Sequence, residues 1–515
     1  MRKMKLAELF DRYSPLGTIP DVDISGIAVD SRLVQPGDVF VAVMDGVDRY
    51  RYLDQVKERG AAAVVGVRTQ IDRDIPYLQV ENDRTALAHM AAAFYGYPAK
   101  ELTMIGVTGT DGKTTTSNFI FEILKAAGKK TGMITTVNAV IGDEILDTGL
   151  HVTTPEAMDG QRYLRQMVEA GLTHCVLETT SHGLAQERGA MAGEFDMAVV
   201  TNITHEHLDY HGSYEGYRAA KGRLFKGISA EKEKTKSVEP LGVLNRDDIS
   251  YEYLAEITTT KQISYGFHPE SQLKAIDIVN TPEQLSFTAK GPDFEVAIET
   301  SLIGNYNVLN CLAAIAATVS GLGILPEHAR EGIRNLKGVP GRMERISMGQ
   351  DFLSIVDFAH TPFALRAALE AGRKITDKRV IAVFGSAGLR DKQKRRMMAE
   401  ASAELADLTV LTAEDPRTES LEDILEEMAK GAESKGGVEG ENFWRVPDRG
   451  QAIRFALEKA QPGDLVLALG KGHEQSMCFI ETEYPWDDRT AMRAALAEYL
   501  GVKGPEMPYL PTQEK

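Results

Sequence analysis

Three cysteines in 515 residues, Cys175, Cys311 and Cys478, are too few and too scattered for a disulfide framework, and none forms a Cys-x-x-Cys metal pair. That scarcity suits a reducing cytoplasm. No apolar run reaches the length of a membrane span, and the opening Met-Arg-Lys-Met-Lys is not followed by the apolar stretch of a secretory signal. The expectation is a cytoplasmic protein without membrane insertion. Positive charge is also short: 58 Lys and Arg against 75 Asp and Glu leave a formal net charge of −17. This argues against nucleic acid or an anionic membrane as the main partner, although anionic small molecules are still admissible where basic residues gather locally. Low-complexity tracts and short repeats are absent, and the length suggests about three domains.

What is present is alternation. Short β-like runs (Gly26–Asp30, Asp38–Val43, Ala61–Val65) fill the first hundred residues, and a helical run, Ala86–Tyr95, ends at Gly96 and Pro98. A second block opens at Leu102, with strand-like runs at Thr173–Glu178 and Met197–Ile203. Residues 230–300 read as short strands and loops, and Asn307–Val319 as a helix. After Gly338-Val-Pro-Gly-Arg342 come the aliphatic runs Leu353–Phe358, Arg379–Phe384, Leu408–Thr412 and Asp464–Leu469, alternating with helical segments. The fold class is therefore α/β, with parallel, helix-covered sheets. The expected domains are 1–99, 100–337 and 338–515.

The run Gly109-Thr-Asp-Gly-Lys-Thr114 lies between the apolar Leu102–Val107 and an amphipathic stretch carrying Ile120, Ile123, Leu124 and Ala127. A strand, a glycine-rich turn and a helix N-terminus bind phosphate through converging N–H groups and the helix dipole. Lys113 adds a mobile cation for the terminal phosphates, and the Thr114 hydroxyl suits Mg²⁺. The spacing is a shortened GxxGK[ST] loop, because Val107 stands where the longer pattern needs glycine. A nucleoside triphosphate is the implied ligand. Glu178, ending its strand, reads equally as a partner of Thr114 on Mg²⁺ or as a helix N-cap. The run His205-Glu-His-Leu-Asp-Tyr-His211 fails the zinc pattern HExxH, since Asp209 stands four residues after His205. It suits a magnesium and phosphate site with one imidazole better. Lys221, on its own, reads as a solvated helix residue.

Together, the phosphate loop, Glu178-Thr-Thr-Ser-His182, the 205–211 segment and Lys221 resemble the central domain of the Mur ligases, which extend the cell-wall peptide on UDP-N-acetylmuramate. The resemblance covers essentially the whole chain. It implies a small α/β N-terminal domain, a central P-loop-type ATPase domain and a C-terminal Rossmann-like domain. It further implies that Lys221 is carbamylated by CO₂, turning a cation that would repel Mg²⁺ into an anionic ligand, and that His207 holds a second Mg²⁺. Thr114, Glu178, His207 and Lys221 become the metal set, with Lys113, Glu178, His207 and Lys221 catalytic. The ATP site takes Gly109, Thr110, Asp111, Gly112, Lys113, Thr114, Thr115 and Asn310, the last from Asn305-Tyr-Asn-Val-Leu-Asn310, with Arg342, Asp357 and His360 on the nucleotide side of the cleft.

Asp30-Ser-Arg32, Thr153-Thr-Pro155, Ser181, His182 and Arg188 match the binding positions for a UDP-muramoyl-dipeptide, so Ser31, Arg32, Thr153, Thr154, Ser181 and Arg188 are assigned to it. Gly341-Arg-Met-Glu344, Asp357–Pro362, Asp448-Arg449 and Gly470-Lys-Gly-His-Glu474 are similar to the branch of the family that adds a diamino acid as the third peptide residue. By that likeness Arg390, Asp415, Arg417, Gly470 and Glu474 hold the amino acid, whereas Lys392, Lys394 and Arg396 read as solvated. Three departures stand out. Asp111 replaces an Asn of the family loop, Ser386-Ala-Gly-Leu-Arg-Asp391 replaces a glycine-rich segment, and Glu414-Asp-Pro-Arg417 replaces the Asp-Asn-Pro-Arg of the diaminopimelate-adding enzymes. Arg417 fits a distal carboxylate, while the added charge of Asp415 favours a distal amine; an Asp415–Arg417 ion pair would cancel both. The balance leans to lysine or ornithine, with meso-diaminopimelate close behind. The implied reaction is ATP-dependent amide formation by a monomer. The rivals are a ligase for another amino acid or peptide, a folate-type glutamate ligase, and a non-catalytic nucleotide binder.

Overall fold

The computed structural model describes residues 3–514 apart from 72–73, 147–153, 205–207, 229–237 and 282–283. Three α/β layers follow one another along the chain. The first holds four parallel strands, Gly26–Ala28, Asp38–Val41, Ala63–Gly66 and Tyr77–Gln79, in sequential order. The helix Asp83–Phe94 closes it: the Asn82 side chain accepts from Thr85 N at 2.9 Å as its cap, and Gly96, at φ 70°, lies just beyond its end.

The second layer is one sheet of 11 strands. Its centre is parallel and starts from Thr103–Thr108, wholly buried and flanked by His174–Glu178 and Met197–Val200. Such continuous burial is what a strand covered by helices on both faces requires. The helix Lys113–Ala126 turns Phe119, Ile120, Ile123 and Leu124 inward, into a core shared with Asn305–Ile315. Antiparallel strands finish both ends of the sheet: Ala139–Ile141 and Glu144–Leu146 on one side, Leu285–Lys290 and Glu295–Thr300 on the other. Within residues 230–300, expected as short strands and loops, the described part carries five strands, Leu241–Asn245, Lys261–Gly266, Leu273–Asn280, Leu285–Lys290 and Glu295–Thr300, and the short helix Tyr251–Ile257; the last two strands show alternating burial. The helix expected at Asn307–Val319 begins two residues earlier and widens into a π-helix over Ala316–Gly321, where Thr318 Oγ1 donates to Ala314 O at 2.7 Å.

The third layer is a 6-stranded sheet in the order Glu344–Arg345, Leu353–Asp357, Leu465–Leu469, Val380–Phe384, Leu408–Leu411, Phe443–Arg445; only its first pair is antiparallel. Side chains of Thr361, Asp391, Ser420, Asp448 and Asp487 cap the helices that begin at Pro362, Lys392, Leu421, Arg449 and Asp488. The loops at the carboxyl ends of the parallel strands, together with the Ser476–Phe479/Thr482–Pro485 hairpin, carry most of the polar residues singled out in this part of the sequence. Among the described residues, no helix is long and apolar enough to cross a membrane.

Candidate active site

The phosphate loop is braced from three directions. Thr110 N donates to Asn202 O at 2.7 Å, Asp111 N to Asn202 Oδ1 at 3.0 Å, and Thr201 Oγ1 to Asp111 O at 2.6 Å, so the end of the strand Met197–Val200 sets its path. Gly109 (φ 149°) and Gly112 (φ 82°) are needed for shape as well as space. A Cβ at Gly109 would collide with Thr201 Oγ1, and one at Gly112 with Asn310 Oδ1. Asn310 also accepts from Thr116 Oγ1 at 3.2 Å and donates to Asn307 Oδ1 at 3.0 Å, which ties the loop to a helix about two hundred residues away. Lys113 Nζ donates to Thr110 O at 2.7 Å.

At the foot of the loop, Thr114 Oγ1 donates to Glu178 Oε2 at 3.0 Å. Thr136 completes this carboxylate's shell through its N–H (3.1 Å) and hydroxyl (3.0 Å). Glu178 is buried, with its oxygens held by side chains and loop backbone. This separates the two sequence readings, because the helix that follows is capped by Thr180, which accepts from Gly183 N at 3.0 Å, and not by Glu178. Lys221 is buried too: Nζ donates to Gly109 O at 2.6 Å and lies 4.6 Å from the Tyr217 ring centre. The solvated reading of Lys221 fails on that burial. His207 and Thr153 lie outside the described residues.

Beside the loop opens a cavity of about 410 Å³. One wall is the central unit, with Asp111, Gly112, Thr114, Thr115, Asn307 and Asn310; the other is the C-terminal unit, with Arg342, Asp357, Phe358 and Phe363. Arg342 crosses between them, its Nη2 at 3.4 Å from Thr114 Oγ1 and its guanidinium over the Phe358 ring at 4.3 Å. Asp357 accepts from Met343 N at 2.6 Å and Ala359 N at 2.8 Å, which fixes the segment carrying Arg342. Burial pushes the Asp357 carboxyl upward, against the pull of Arg342 and these two N–H groups. His360 hydrogen-bonds Phe358 O at 2.9 Å and is not among the lining residues.

Toward the N-terminal unit, Arg188 and Arg84 converge on one carboxylate, Glu156, at 3.1 and 2.8 Å, and Arg84 also reaches Asp45. Thr154 Oγ1 and Thr180 Oγ1 are 3.2 Å apart, and Ser181 Oγ is buried without a hydrogen-bond partner among the described residues. Ser31 donates to Gln55 Oε1 at 2.9 Å, while Arg32 pairs with Asp30 in an exposed turn. Neither Arg84 nor Glu156 carries a motif that a sequence reading would pick out.

The third cluster lies on the C-terminal sheet. Lys471 Nζ stands 3.1 Å from both Asp415 oxygens and 2.5 Å from Glu474 Oε2, and Cys478 N donates to Asp415 Oδ1 at 2.9 Å. Asp415 is thus paired with Lys471 and not with Arg417, whose guanidinium has no carboxylate partner among the described residues. The charge that favoured a distal amine is cancelled inside the protein. Glu414 is buried against Gly470, and burial pushes its carboxyl upward despite nearby Lys394, His360, Arg449 and Lys471. Arg390 is exposed on a loop whose Leu389 N is held by Glu419 at 2.6 Å; Arg395, from the same basic run, is buried between Glu419 and Glu427. Arg449 is fully buried and pairs with Asp488 at 2.6 Å, a brace beneath the cluster.

Comparison with known proteins gives concordant results. Residues 107–318 match the model of the Mur ligase middle domain, and 341–472 that of the Mur ligase glutamate ligase domain. The chain is 40% identical over 511 residues to the UDP-N-acetylmuramyl-tripeptide synthetase of Roseiflexus sp. (strain RS-1), covering 97% of this chain and 100% of that one. It is 40% identical over 477 residues, 92% of this chain and 95% of the relative, to the UDP-N-acetylmuramoyl-L-alanyl-D-glutamate--2,6-diaminopimelate ligase of Geobacillus thermodenitrificans (strain NG80-2). A solved structure of a ligase with the same name superposes with a TM-score of 0.65 at 27% identity, over 97% of this chain and 100% of that one.

Proposed function

On the premise that this chain belongs to the Mur ligase family, we propose that it is a tripeptide synthetase: it spends ATP to join a diamino acid to UDP-N-acetylmuramoyl-L-alanyl-D-glutamate. The observation that carries the reading is the cavity beside the phosphate loop, closed by Arg342 and Asp357 from the next unit. Its volume falls within the roughly 300–1,000 Å³ usual for small-molecule sites. The work divides as residues 1–99 for the UDP-muramoyl end, 100–337 for ATP and 338–515 for the amino acid, all in one chain acting as a monomer in the cytoplasm.

In this scheme the D-glutamate side-chain carboxylate attacks the γ-phosphorus of ATP and ADP leaves. The acyl phosphate is then attacked by the α-amine of the diamino acid; that nitrogen loses a proton, the C–N bond forms and inorganic phosphate departs. Loop N–H groups and Lys113 stabilise charge on the transferring phosphoryl group, the main protein contribution in such transfers. Arg188 and Ser181 orient the attacking carboxylate, and Arg390 takes the incoming α-carboxylate. Magnesium fits the hard-oxygen pair of Thr114 and Glu178, 3.0 Å apart, and when bound neutralises phosphate oxygens. His207 and a carbamylated Lys221 are assigned to a second ion. The Lys221–Gly109 bond is compatible with carbamylation, since a carbamate nitrogen keeps one N–H to donate. Because the two substrate sites lie on different units, the units must close for turnover.

Among diamino acids, the names of the relatives and Arg417, whose guanidinium has no carboxylate partner among the described residues, favour meso-diaminopimelate over lysine or ornithine. The test is phosphate release by purified protein with ATP, Mg²⁺, the UDP-muramoyl-dipeptide and each diamino acid in turn. No release with any of them overturns the proposal. For the carbamate, Lys221→Ala is expected to be inactive and partly rescued by a small carboxylate such as formate; an unimpaired variant refutes it.

A further inference from the structure

Three charged side chains gather, Asp415, Lys471 and Glu474, and the backbone of Arg417 runs against the same hairpin; of the four, Asp415 is the one at which the sequence departs from the family motif. Arg417 lies beside Phe479 through a backbone bridge, its N–H donating to Cys478 O at 3.1 Å, while Cys478 N in turn binds Asp415. Asp415 and Arg417 therefore face the same short hairpin, and both sit at positive φ, 39° and 54°. Lys471 is 1% exposed and wedged between two carboxylates, symmetric toward Asp415 and closest to Glu474. Counted together, two anions and two cations sum to zero. Around the four, Arg449 is paired with Asp488; burial pushes the Glu414 carboxyl upward against Lys394, His360, Arg449 and Lys471; and Glu483 faces Cys478 from the other strand of the hairpin.

We propose that Lys471 is a specificity-determining residue that cancels Asp415, so that the far end of the acceptor site offers one guanidinium, that of Arg417, without a carboxylate partner among the described residues, and one half-satisfied carboxylate, that of Glu474. That pattern complements a distal carbon bearing both a carboxylate and an ammonium, a neutral zwitterion, and not a bare ammonium. Without Lys471 the same site holds two carboxylates against one guanidinium and turns toward the cation. The inference rests on the ligase reading above and extends it, since it assigns selectivity to a residue that acts on the substrate only through Asp415 and Glu474.

The experiment measures kcat/KM for meso-diaminopimelate and for L-lysine, in wild type and in K471Q, D415N and the double variant. The ratio of the two constants is expected to fall at least tenfold in K471Q, to be no lower in D415N than in wild type, and to recover in the double variant, where the charge left uncompensated is removed. A lysine that merely braces the hairpin would give no recovery. An unchanged ratio in K471Q, or a double variant as unselective as K471Q, overturns the proposal. Should K471Q fail to fold, the double variant is compared with D415N alone: equal ratios support the proposal, and a tenfold fall overturns it. Wild-type protein that joins neither amino acid overturns the ligase reading and this proposal with it, whereas wild-type activity with an unaltered ratio in K471Q overturns only the role of Lys471.

Discussion

Gly109 and Gly112 set the phosphate loop's shape, and substituting them tests it directly. Gly109→Ala puts a methyl group into Thr201 Oγ1 at a φ that side-chain-bearing residues avoid. Strain of this kind costs about 1–3 kcal/mol, so nucleotide binding is expected to weaken roughly ten- to a hundredfold. Isothermal titration with a non-hydrolysable ATP analogue checks this, and unchanged affinity would show the loop is not the phosphate site. The loop was legible in sequence because its residues are contiguous and each has one chemical use. The pairing of Lys471 with Asp415 was not, because it spans 56 positions and arises only when two strand ends meet. The same holds for Thr136 on Glu178 and for Arg84 on Glu156. Residue types announce what they can bind, but the partner is chosen by topology.

Among elements, the strand Leu465–Leu469 and the helix Arg449–Lys459 depend on a buried ion pair. Arg449 donates to both oxygens of Asp488 and to the carbonyls of Ala413 and Leu469, and Trp486 Nε1 joins the same carboxylate at 2.8 Å. Removing one partner strands a buried charge, which costs about 3–5 kcal/mol. Asp488→Asn is therefore expected to lower the urea midpoint sharply, and a loss below 1 kcal/mol would contradict this role. The parallel strands were readable as aliphatic runs: Arg379–Phe384 forms Val380–Phe384, and Asp464–Leu469 forms Leu465–Leu469. Phe443–Arg445 escaped notice because three residues at a sheet edge leave no run to detect. The antiparallel strands after Gly266 were readable only as short strands among loops, without bounds: half of each faces solvent, and the polar residues there break the apolar run.

For the whole molecule, the shared cavity predicts that nucleotide ties two units together. At a hundred times its Kd, an ATP analogue adds about 2.7 kcal/mol to stability. Phe363→Ala, on the C-terminal wall far from the phosphate loop in sequence, is expected to diminish that gain in a calorimetric scan. An undiminished gain would place the nucleotide elsewhere. Acid should loosen the fold through His473. Burial holds its imidazole well below 6.5, with Arg342, Arg489 and Lys471 adding to the depression. The unfolded chain takes up this proton as pH falls through 6.5 and the folded chain does not, so the stabilisation is present above 6.5 and declines below it, by at most about 1.4 kcal/mol per pH unit. Urea unfolding at pH 7.5, 6.5 and 5.5 should show His473→Gln losing less on acidification than wild type; parallel losses would remove His473 from the account. His473 also touches the connection between the two units. A side chain at Gly341 would have to occupy space already filled by the backbones of Gly472 and His473. The connector and the stretch holding Lys471 therefore run backbone against backbone with no room for a side chain between them, so a change in the path of one has to be accommodated by the other.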